Sequence, residues 1–284
     1  MNKKGIIGQI GLFLLFFLLF FLLFFGLFNL VIPKKDSQLK DSDFFKQSQS
    51  SLNYLAIGDS LTEGIGDESN QGGFVPLLAQ DIESHFNIQV TASNFGVAGN
   101  TSQQILDRMK DDPNLKKALE SADLITVTVG GNDIMAVVRQ NLSTLDESSF
   151  LEASKDYQNH LREMISLAKK GNKRVKIYIL GLYNPFFLNF PQIKEMQSII
   201  DDWNEMTKAV TSDYSNVHFV PINDRLYKGI DGKDGVVQSD GNQKKVLNDA
   251  LFSGDHFHPN HIGYQIMSDT VLETLKKYEK KTNN

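Results

Sequence analysis

Four residues in widely separated parts of the chain have the types that nucleophilic catalysis needs. Ser60 lies in a Gly-Asp-Ser-Leu sequence, Asn132 follows two glycines, and Asp255 stands three residues before His258. A serine hydroxyl is a weak nucleophile at neutral pH, so it needs an adjacent base that a third group holds in one tautomer. These residue types predict a nucleophilic serine, provided that the fold brings them together.

The spacing of Asp255 and His258 accounts for the base and the group that orients it. Pro259 suits the first position of a helix, so both residues are predicted to fall on the turn just before the last helix. Residues three apart in such a turn can present their side chains to one point. The Asp255 carboxylate then accepts the imidazole Nδ1–H, while Nε2 faces outward as a base.

Gly99 and Asn132 are predicted to offer N–H groups to a developing anion. Gly99 lies just before a helix that Thr101 or Ser102 caps, where unpaired backbone N–H groups point outward. Asn132 adds a side-chain N–H after two glycines that let the backbone approach a ligand. Plainer interpretations remain open: Gly99 as a turn glycine, Asn132 as a turn residue, and Ser60 as a helix cap.

A metal site is the rival interpretation of the histidine-rich stretch near the carboxyl terminus. Asp255, His256, His258 and His261 are all residue types that bind metal ions. Their Asp-x-x-His spacing is already accounted for by the base and its orienting carboxylate, and no other histidine lies close in sequence. The sequence therefore predicts neither a metal ion nor another cofactor.

The elements that position these residues alternate between strand and helix. An apolar run from Tyr54 ends at Gly58, which is typical of a strand buried on both faces, and Ser60 then lies at its carboxyl end. Ligands bind at this edge of open α/β sheets. Because helices separate the predicted strands, the sheet should be parallel and covered on both faces. The other strands are predicted at residues 88–95, 124–129, 174–182 and 217–222.

Composition excludes several classes of function. The net charge of −5 is mild, and lysine and arginine are scattered, so a nucleic-acid partner is not predicted. The chain has no cysteine, which excludes disulfides, thiolate zinc sites and a cysteine nucleophile. The glycines after Ser60 match no nucleotide-binding pattern.

The amino-terminal region predicts a membrane anchor. Residues 10–32 are apolar apart from glycine and Asn29. A bilayer-spanning helix needs about 20 such residues, whereas a secretory signal has about 7–15 and a small-residue cleavage site, which is missing here. We predict a short cytoplasmic tail at 1–9, a transmembrane anchor at 10–32, a polar tether at 33–51 and the folded domain at 52–284, outside the cell membrane. The alternative is secretion after cleavage of an unusual signal peptide.

An apolar segment follows the fourth predicted strand. It contains Phe186, Phe187 and Phe190. Because it lies beyond the carboxyl end of a strand, it is a candidate wall for an apolar acyl group. Packing of these aromatic rings beneath the loop is an equally open interpretation.

Taken together, these residues give the chain a close resemblance to the SGNH, or GDSL-type, hydrolase superfamily, from Asn53 to about Lys276. Four blocks in the same order make the resemblance far more specific than any one of them alone. The blocks are Gly58-Asp59-Ser60-Leu61, Gly96-Val97-Ala98-Gly99-Asn100, Gly130-Gly131-Asn132-Asp133 and Asp255-x-x-His258-Pro259.

The resemblance implies a flavodoxin-like, three-layer α/β/α fold with a five-stranded parallel sheet. It implies Ser60 as nucleophile, His258 as base and Asp255 as its orienting group. The oxyanion hole would consist of the Ser60 and Gly99 N–H groups and the Asn132 amide. With these roles, the resemblance implies that the protein hydrolyses carboxylic esters through an acyl-enzyme.

The substrate stays open among three interpretations. The first is a lipase-like acylhydrolase that acts on lipid or other acyl esters at the membrane. The second is an O-acetylesterase that acts on cell-wall polysaccharide. The third is a catalytically silent binding module at the envelope, for which the joint presence of Ser60, Asn132, Asp255 and His258 would have no evident reason.

Overall fold

The computed structural model describes residues 51–140, 147–185, 194–227, 237–240, 243–246 and 250–282. All of them belong to the unit Gln49–Asn284, one of two units into which the chain divides after Ser48. Phe186, Phe187 and Phe190 lie outside the described residues, as do residues 10–32.

A five-stranded sheet forms the centre of the domain. Its strands are β1 Ser51–Gly58, β2 Gln89–Gly96, β3 Leu124–Thr128, β4 Lys176–Leu180 and β5 Val217–Val220. All neighbours pair in parallel, in the order β2-β1-β3-β4-β5. The strand order reverses between β1 and β3, and such a switch point is where doubly wound sheets bind ligands.

Helices cover both faces of this sheet. They are α1 Ser60–Glu63, α2 Phe74–Phe86, α3 Ser102–Asp111, α4 Pro113–Ser121, α5 Gly131–Gln140, α6 Leu151–Gly171, α7 Lys194–Ser212, α8 Asn223–Tyr227 and α9 His261–Thr282.

Strand β1 shows how the sequence builds two apolar cores. Alternate residues of a strand point to opposite faces. Leu55 and Ile57 therefore join a core with helices α3 to α7, whereas Tyr54 and Ala56 join a second core with α2, α8 and α9. Trp203 lies in the first core with 1% of its surface exposed. The parallel five-stranded sheet and its two helical layers confirm the predicted α/β fold.

The predicted start of the last helix is wrong by two residues. Pro259 is not its first residue, because Pro259 pairs with Leu251 in an isolated antiparallel bridge and α9 begins at His261. The side chain of Asn260 accepts the Gly263 N–H at 3.1 Å, so an asparagine cap determines where the helix begins.

The segment between Asn223 and Gly254 is long, polar and rich in glycine, a composition that predicts a loop, but it contains regular structure. Helix α8 begins it, and an antiparallel pair of strands follows, β6 Val237–Asp240 and β7 Gln243–Val246. Only the first and last positions of this hairpin are apolar. The sequence of this hairpin lacks the alternation of apolar and polar residues that predicts a strand, so the pattern did not reveal it.

No helix within the described ranges is long and apolar enough to cross a membrane. The predicted anchor at 10–32 and most of the tether at 33–51 lie outside those ranges.

Candidate active site

Ser60 lies directly beyond the carboxyl end of β1, in the first turn of α1. Asp59 caps this short helix by accepting the Leu61 N–H at 3.1 Å, and it also accepts the Thr128 hydroxyl at 2.8 Å. Gly58 is required by close packing, because a Cβ there would lie 2.3 Å from the Thr128 Oγ1. The end of β1 is thus fixed against the end of β3, and Ser60 with it.

The His258 ring joins Ser60 to Asp255. Its Nε2 lies 2.9 Å from the Ser60 Oγ, and its Nδ1 lies 2.6 Å from the Asp255 Oδ2. The other carboxylate oxygen of Asp255 accepts the backbone N–H groups of Phe257 at 2.8 Å and His258 at 3.0 Å. The turn therefore fixes the carboxylate, and the carboxylate fixes the orientation of the ring.

The ionisation of Asp255 follows from these contacts. Burial alone would raise the pKa of Asp255, but hydrogen bonds from the His258 ring and from the His258 and Phe257 N–H groups outweigh it and hold that pKa below its ordinary value. The side chain is therefore a carboxylate at neutral pH, which keeps the imidazole proton on Nδ1 and leaves Nε2 able to accept a proton.

At this edge, the backbone N–H groups of Ser60 and Gly99 donate to no acceptor among the described residues. Gly99 has a φ of +80°, and a Cβ there would meet no atom within 4 Å, so the backbone conformation rather than space requires glycine. The Asn132 amide donates one N–H to the Asn100 carbonyl at 3.0 Å, and its second N–H stays available.

The sheet register brings these groups to one place. Gly58 pairs with Gly96 on one side and with Thr128 on the other, so the loops after β2, β1 and β3 leave the sheet side by side. The structure therefore brings Ser60, Gly99 and Asn132 to the same edge, where His258 also reaches Ser60.

Sequence reasoning missed a second cluster, behind the loops after β2 and β3. The Ser102 Oγ lies 2.5 Å from Asp133 and 2.8 Å from the His160 Nδ1, and the Ser102 N–H also reaches Asp133 at 2.9 Å. Burial raises the pKa of Asp133 despite the hydrogen bonds from Ser102. The cluster joins the first residue of α3 to the first turn of α5, and through them the loops that carry Gly99 and Asn132.

A second contact that sequence reasoning missed anchors the Asp255–His258 turn. The Tyr183 hydroxyl donates to the Phe257 carbonyl at 2.5 Å, and Tyr183 is buried. This tyrosine follows β4, so the turn is attached to the sheet on the side opposite Gly99. Nothing local in the sequence signals a contact between residues 74 positions apart.

An apolar cleft of about 610 Å³, measured with its open mouth, begins beside Ser60 and Asn132. Leu182 and Pro185, in the loop after β4, line it. The predicted acyl-wall residues Phe186, Phe187 and Phe190 follow in the chain but lie outside the described residues. The remaining apolar side chains of the cleft are Leu61, Ile134, Met135, Tyr183, Met196, Ile200 and Phe257.

In the part of the chain that the structure describes, no group of three or more histidine, cysteine, aspartate or glutamate side chains is placed to hold a metal ion. His258 uses both ring nitrogens on Ser60 and Asp255. The Nδ1 of His261 lies 3.6 Å from Asp67, and His256 is exposed. These residues do not form one ligand set.

Comparison with known proteins identifies the family. The sequence profile of the GDSL-like Lipase/Acylhydrolase family matches residues 56–266. The spore germination lipase LipC of Bacillus licheniformis is 30% identical over 224 residues, which are 78% of this chain and 94% of LipC. The crystal structure of the lipase Lip_vut3 from a goat rumen metagenome is 27% identical with a TM-score of 0.65, covering 78% of this chain and 97% of that one.

A more distant structure shares the fold alone. The acetylxylan esterase Axe2 of Geobacillus stearothermophilus is 19% identical with a TM-score of 0.55, covering 78% of this chain and 93% of that one. The family profile covers well over half of the sequence, and the alignment with LipC spans nearly all of that lipase. The chain therefore belongs to the GDSL-like lipase/acylhydrolase family of ester hydrolases.

Proposed function

We propose that the protein is a serine esterase that cleaves carboxylic esters through a covalent acyl-enzyme. The observation that carries the proposal is the His258 ring, which contacts the Ser60 Oγ with one nitrogen and the Asp255 carboxylate with the other. A neutral imidazole held in this way accepts the serine proton as the hydroxyl attacks.

The reaction proceeds in two halves. The Ser60 Oγ forms a bond to the ester carbonyl carbon while its proton passes to the His258 Nε2, and the carbonyl oxygen becomes an oxyanion. The same nitrogen then gives that proton to the alcohol oxygen as the carbon–oxygen bond breaks. In the second half a water molecule loses a proton to His258 and attacks the acyl carbon. The His258 Nε2 then returns that proton to the Ser60 Oγ as the bond between this oxygen and the acyl carbon breaks, which releases the carboxylic acid.

The oxyanion is received by donors that are already in place. The backbone N–H groups of Ser60 and Gly99 and the free N–H of the Asn132 amide supply three hydrogen bonds at the sheet edge. Because these donors are fixed by the ends of three adjacent strands, they need little rearrangement as charge develops.

The substrate is proposed to be a lipid or other acyl ester. In support, two relatives above 25% identity, LipC and Lip_vut3, carry the name lipase. The alternative of O-acetylesterase activity on wall polysaccharide draws on Axe2, which shares the fold alone. A catalytically silent envelope module is the remaining alternative, and loss of all hydrolysis would favour it.

The location proposed for this esterase is the outer side of the cell membrane. The apolar stretch at 10–32 supports an uncleaved anchor, followed by the tether at 33–51 and the hydrolase domain at 52–284. Fractionation of cells that express the full chain should place it in membranes, released by detergent but not by alkaline carbonate, with its amino terminus intact. Recovery of a shortened chain from the medium would instead show secretion after cleavage.

The direct test of the function replaces Ser60 with alanine and measures hydrolysis of activated short- and medium-chain esters. The Ser60→Ala variant should lose a factor on the order of 10⁴ to 10⁶ in kcat, with an unchanged Tm. Hydrolysis that persists at the wild-type rate would refute the serine mechanism. If the wild-type protein cleaves none of the esters, the silent-module alternative gains.

A further inference from the structure

The apolar cleft beside Ser60 has a defined position relative to the reacting atoms. Ser60 and Asn132, the nucleophile and one oxyanion donor, line its inner end. His258 does not line it among the described residues, although the neighbouring Phe257 does. The cleft therefore extends from the side of the site that receives the ester carbonyl group, and not from the side where the His258 imidazole lies.

This position decides which part of an ester the cleft can hold. The alcohol oxygen must lie within hydrogen-bond reach of the His258 Nε2 to receive its proton. The alcohol therefore leaves on the side of the imidazole. The group that extends from the carbonyl carbon past Asn132 is the acyl chain, which stays on Ser60 in the acyl-enzyme.

The lining of the cleft is suited to a hydrocarbon chain. Ile134, Leu182 and Ile200 are at least 93% buried and form fixed walls. Met135 and Met196, from α5 and α7, are half-buried, and their unbranched side chains adapt to ligands of different length. A site for the hydroxyl groups of a sugar would need several polar side chains at this position.

One acidic side chain, that of Asp59, lies in the wall of the cleft, and the wall is nevertheless apolar. Asp59 is 4% exposed, and its Oδ1 accepts hydrogen bonds from Thr128 and Leu61. This oxygen is thereby occupied by the protein itself. Asp59 belongs to the support beneath Ser60, and the apolar walls decide what the cleft accepts.

We propose that this cleft is the acyl-chain site and that it makes the enzyme selective for esters of medium-chain fatty acids over acetyl esters. The proposal rests on the serine esterase function above and names its substrate class. The apolar walls of the cleft run from Ser60 to Met196 and Ile200 on α7, so an acyl chain longer than acetyl can lie along them. Met135 and Met196 are the residues that set the accepted length.

The test measures kcat/KM for p-nitrophenyl esters from acetyl through butanoyl, hexanoyl and octanoyl to decanoyl. Each methylene buried in the cleft should raise kcat/KM about fourfold, so hexanoyl should exceed acetyl by a factor on the order of 10². A tryptophan in place of Met196 fills the cleft. It should lower the octanoyl-to-acetyl ratio of kcat/KM by about 30-fold or more.

Two further variants keep the test interpretable. Met206→Trp is the matched control, because Met206 is a half-buried methionine on the same helix that contacts Gln158 and does not line the cleft. Its octanoyl-to-acetyl ratio should equal that of the wild-type protein. Met135→Trp fills the cleft from α5 and should lower the octanoyl-to-acetyl ratio in the same way. It replaces Met196→Trp as the test if the Met196→Trp variant has a lower Tm than the wild-type protein.

The outcomes separate this proposal from the function on which it rests. If hydrolysis depends on Ser60 but acetyl is the best substrate, or if both cleft-filling variants keep the wild-type ratio, the acyl-site proposal is wrong and the serine mechanism stands. If hydrolysis does not depend on Ser60, the proposed function fails first. A peak at medium chains that both variants abolish supports the acyl site.

Discussion

Two clusters in the described part of the domain contain the same three residue types. In one, Ser60, His258 and Asp255 are linked through the histidine, which contacts serine and aspartate with different nitrogens. The other contains Ser102, Asp133 and His160, and here the serine hydroxyl is central. The order of contacts, and not the residue types, distinguishes the two clusters.

That order determines whether a serine can become a nucleophile. Removing the Ser102 proton would leave an alkoxide 2.5 Å from the Asp133 carboxylate, an unfavourable contact between like charges in a buried site. At Ser60 the proton passes to an imidazole, and the resulting cation lies between the alkoxide and Asp255. Ser102 is also fully buried, whereas Ser60 lines an open cleft.

The second cluster therefore has a positioning role. The Ser102 N–H and hydroxyl both donate to Asp133, so His160 donates its Nδ1–H to the Ser102 oxygen. This chain of hydrogen bonds ties helices α3, α5 and α6 together. It keeps the Asn100 carbonyl close to the Asn132 amide, which in turn orients the free amide N–H.

The largest expected difference in kcat is between variants of the two histidines, His258 and His160. His258→Ala removes the base and should lower kcat by a factor on the order of 10⁴ to 10⁶. His160→Ala removes one hydrogen bond worth about 1 kcal/mol to the positioning cluster and should cost less than about tenfold in kcat. Steady-state kinetics on one soluble ester compares both. Equal losses would show that the second cluster takes part in the chemistry.

The two aspartates provide the next comparison. Asp255→Asn should lower kcat by about 10²- to 10⁴-fold, because the amide favours the wrong imidazole tautomer. Asp133→Asn should mainly lower the free energy of unfolding, by about 1–2 kcal/mol, because one hydrogen bond to Ser102 weakens. Kinetics and urea unfolding on both variants test this. A larger loss of kcat in Asp133→Asn would overturn the assignment.

Asn132→Ala should lower kcat by about 10²- to 10³-fold, because one oxyanion donor is lost. Asn172→Ala is a matched control, since its amide also donates to a backbone carbonyl, that of Ala122, at 2.9 Å, but at the amino ends of the strands. Its kcat should equal that of the wild-type protein. An unchanged kcat in Asn132→Ala would remove this residue from the oxyanion hole.

The smallest expected effect is a difference in how the stabilising contributions of Asp255 and Asp133 change with pH. The pKa of Asp255 is lowered in the folded protein, so its stabilising contribution is present above the ordinary aspartate pKa of about 3.9 and is lost as pH falls through the lowered value. The pKa of Asp133 is raised, so its contribution is present below about 3.9 and is lost as pH rises through the raised value.

Unfolding measurements across this pH range check the signs. The stability difference between the wild-type protein and Asp255→Asn should shrink as the solution is acidified. On the same acidification, the wild-type protein should gain stability relative to Asp133→Asn. Parallel profiles would contradict the assigned environments.

Features encoded within a few residues could be predicted from the sequence. The apolar run of β1 ends at Gly58 and places Ser60 at the sheet edge, and the Asp255–His258 spacing encodes a single turn. Contacts across the fold left no local signal. His160 lies in the middle of an amphipathic helix, 58 residues from Ser102, and nothing distinguishes it from a solvated histidine.

The ends of the strands and the residues that line the cleft could be predicted only in part. Strand β4 ends two residues before the end of the predicted strand 174–182, because Leu182 lines the cleft and its N–H donates to the Asn204 side chain at 2.7 Å. The acyl wall predicted at Phe186, Phe187 and Phe190 lies outside the described residues and stays a prediction. The methionines from α5 and α7 were not predicted to line the cleft, since helix packing alone brings them there.

The most direct test of the central claim is covalent labelling with a fluorophosphonate, followed by peptide mass mapping. An activated serine oxygen forms a bond to phosphorus and displaces fluoride. The contrast between the two clusters predicts a single label on Ser60, none on Ser102, and no label in Ser60→Ala or His258→Ala. Label on Ser102, or labelling that survives the loss of His258, would contradict it.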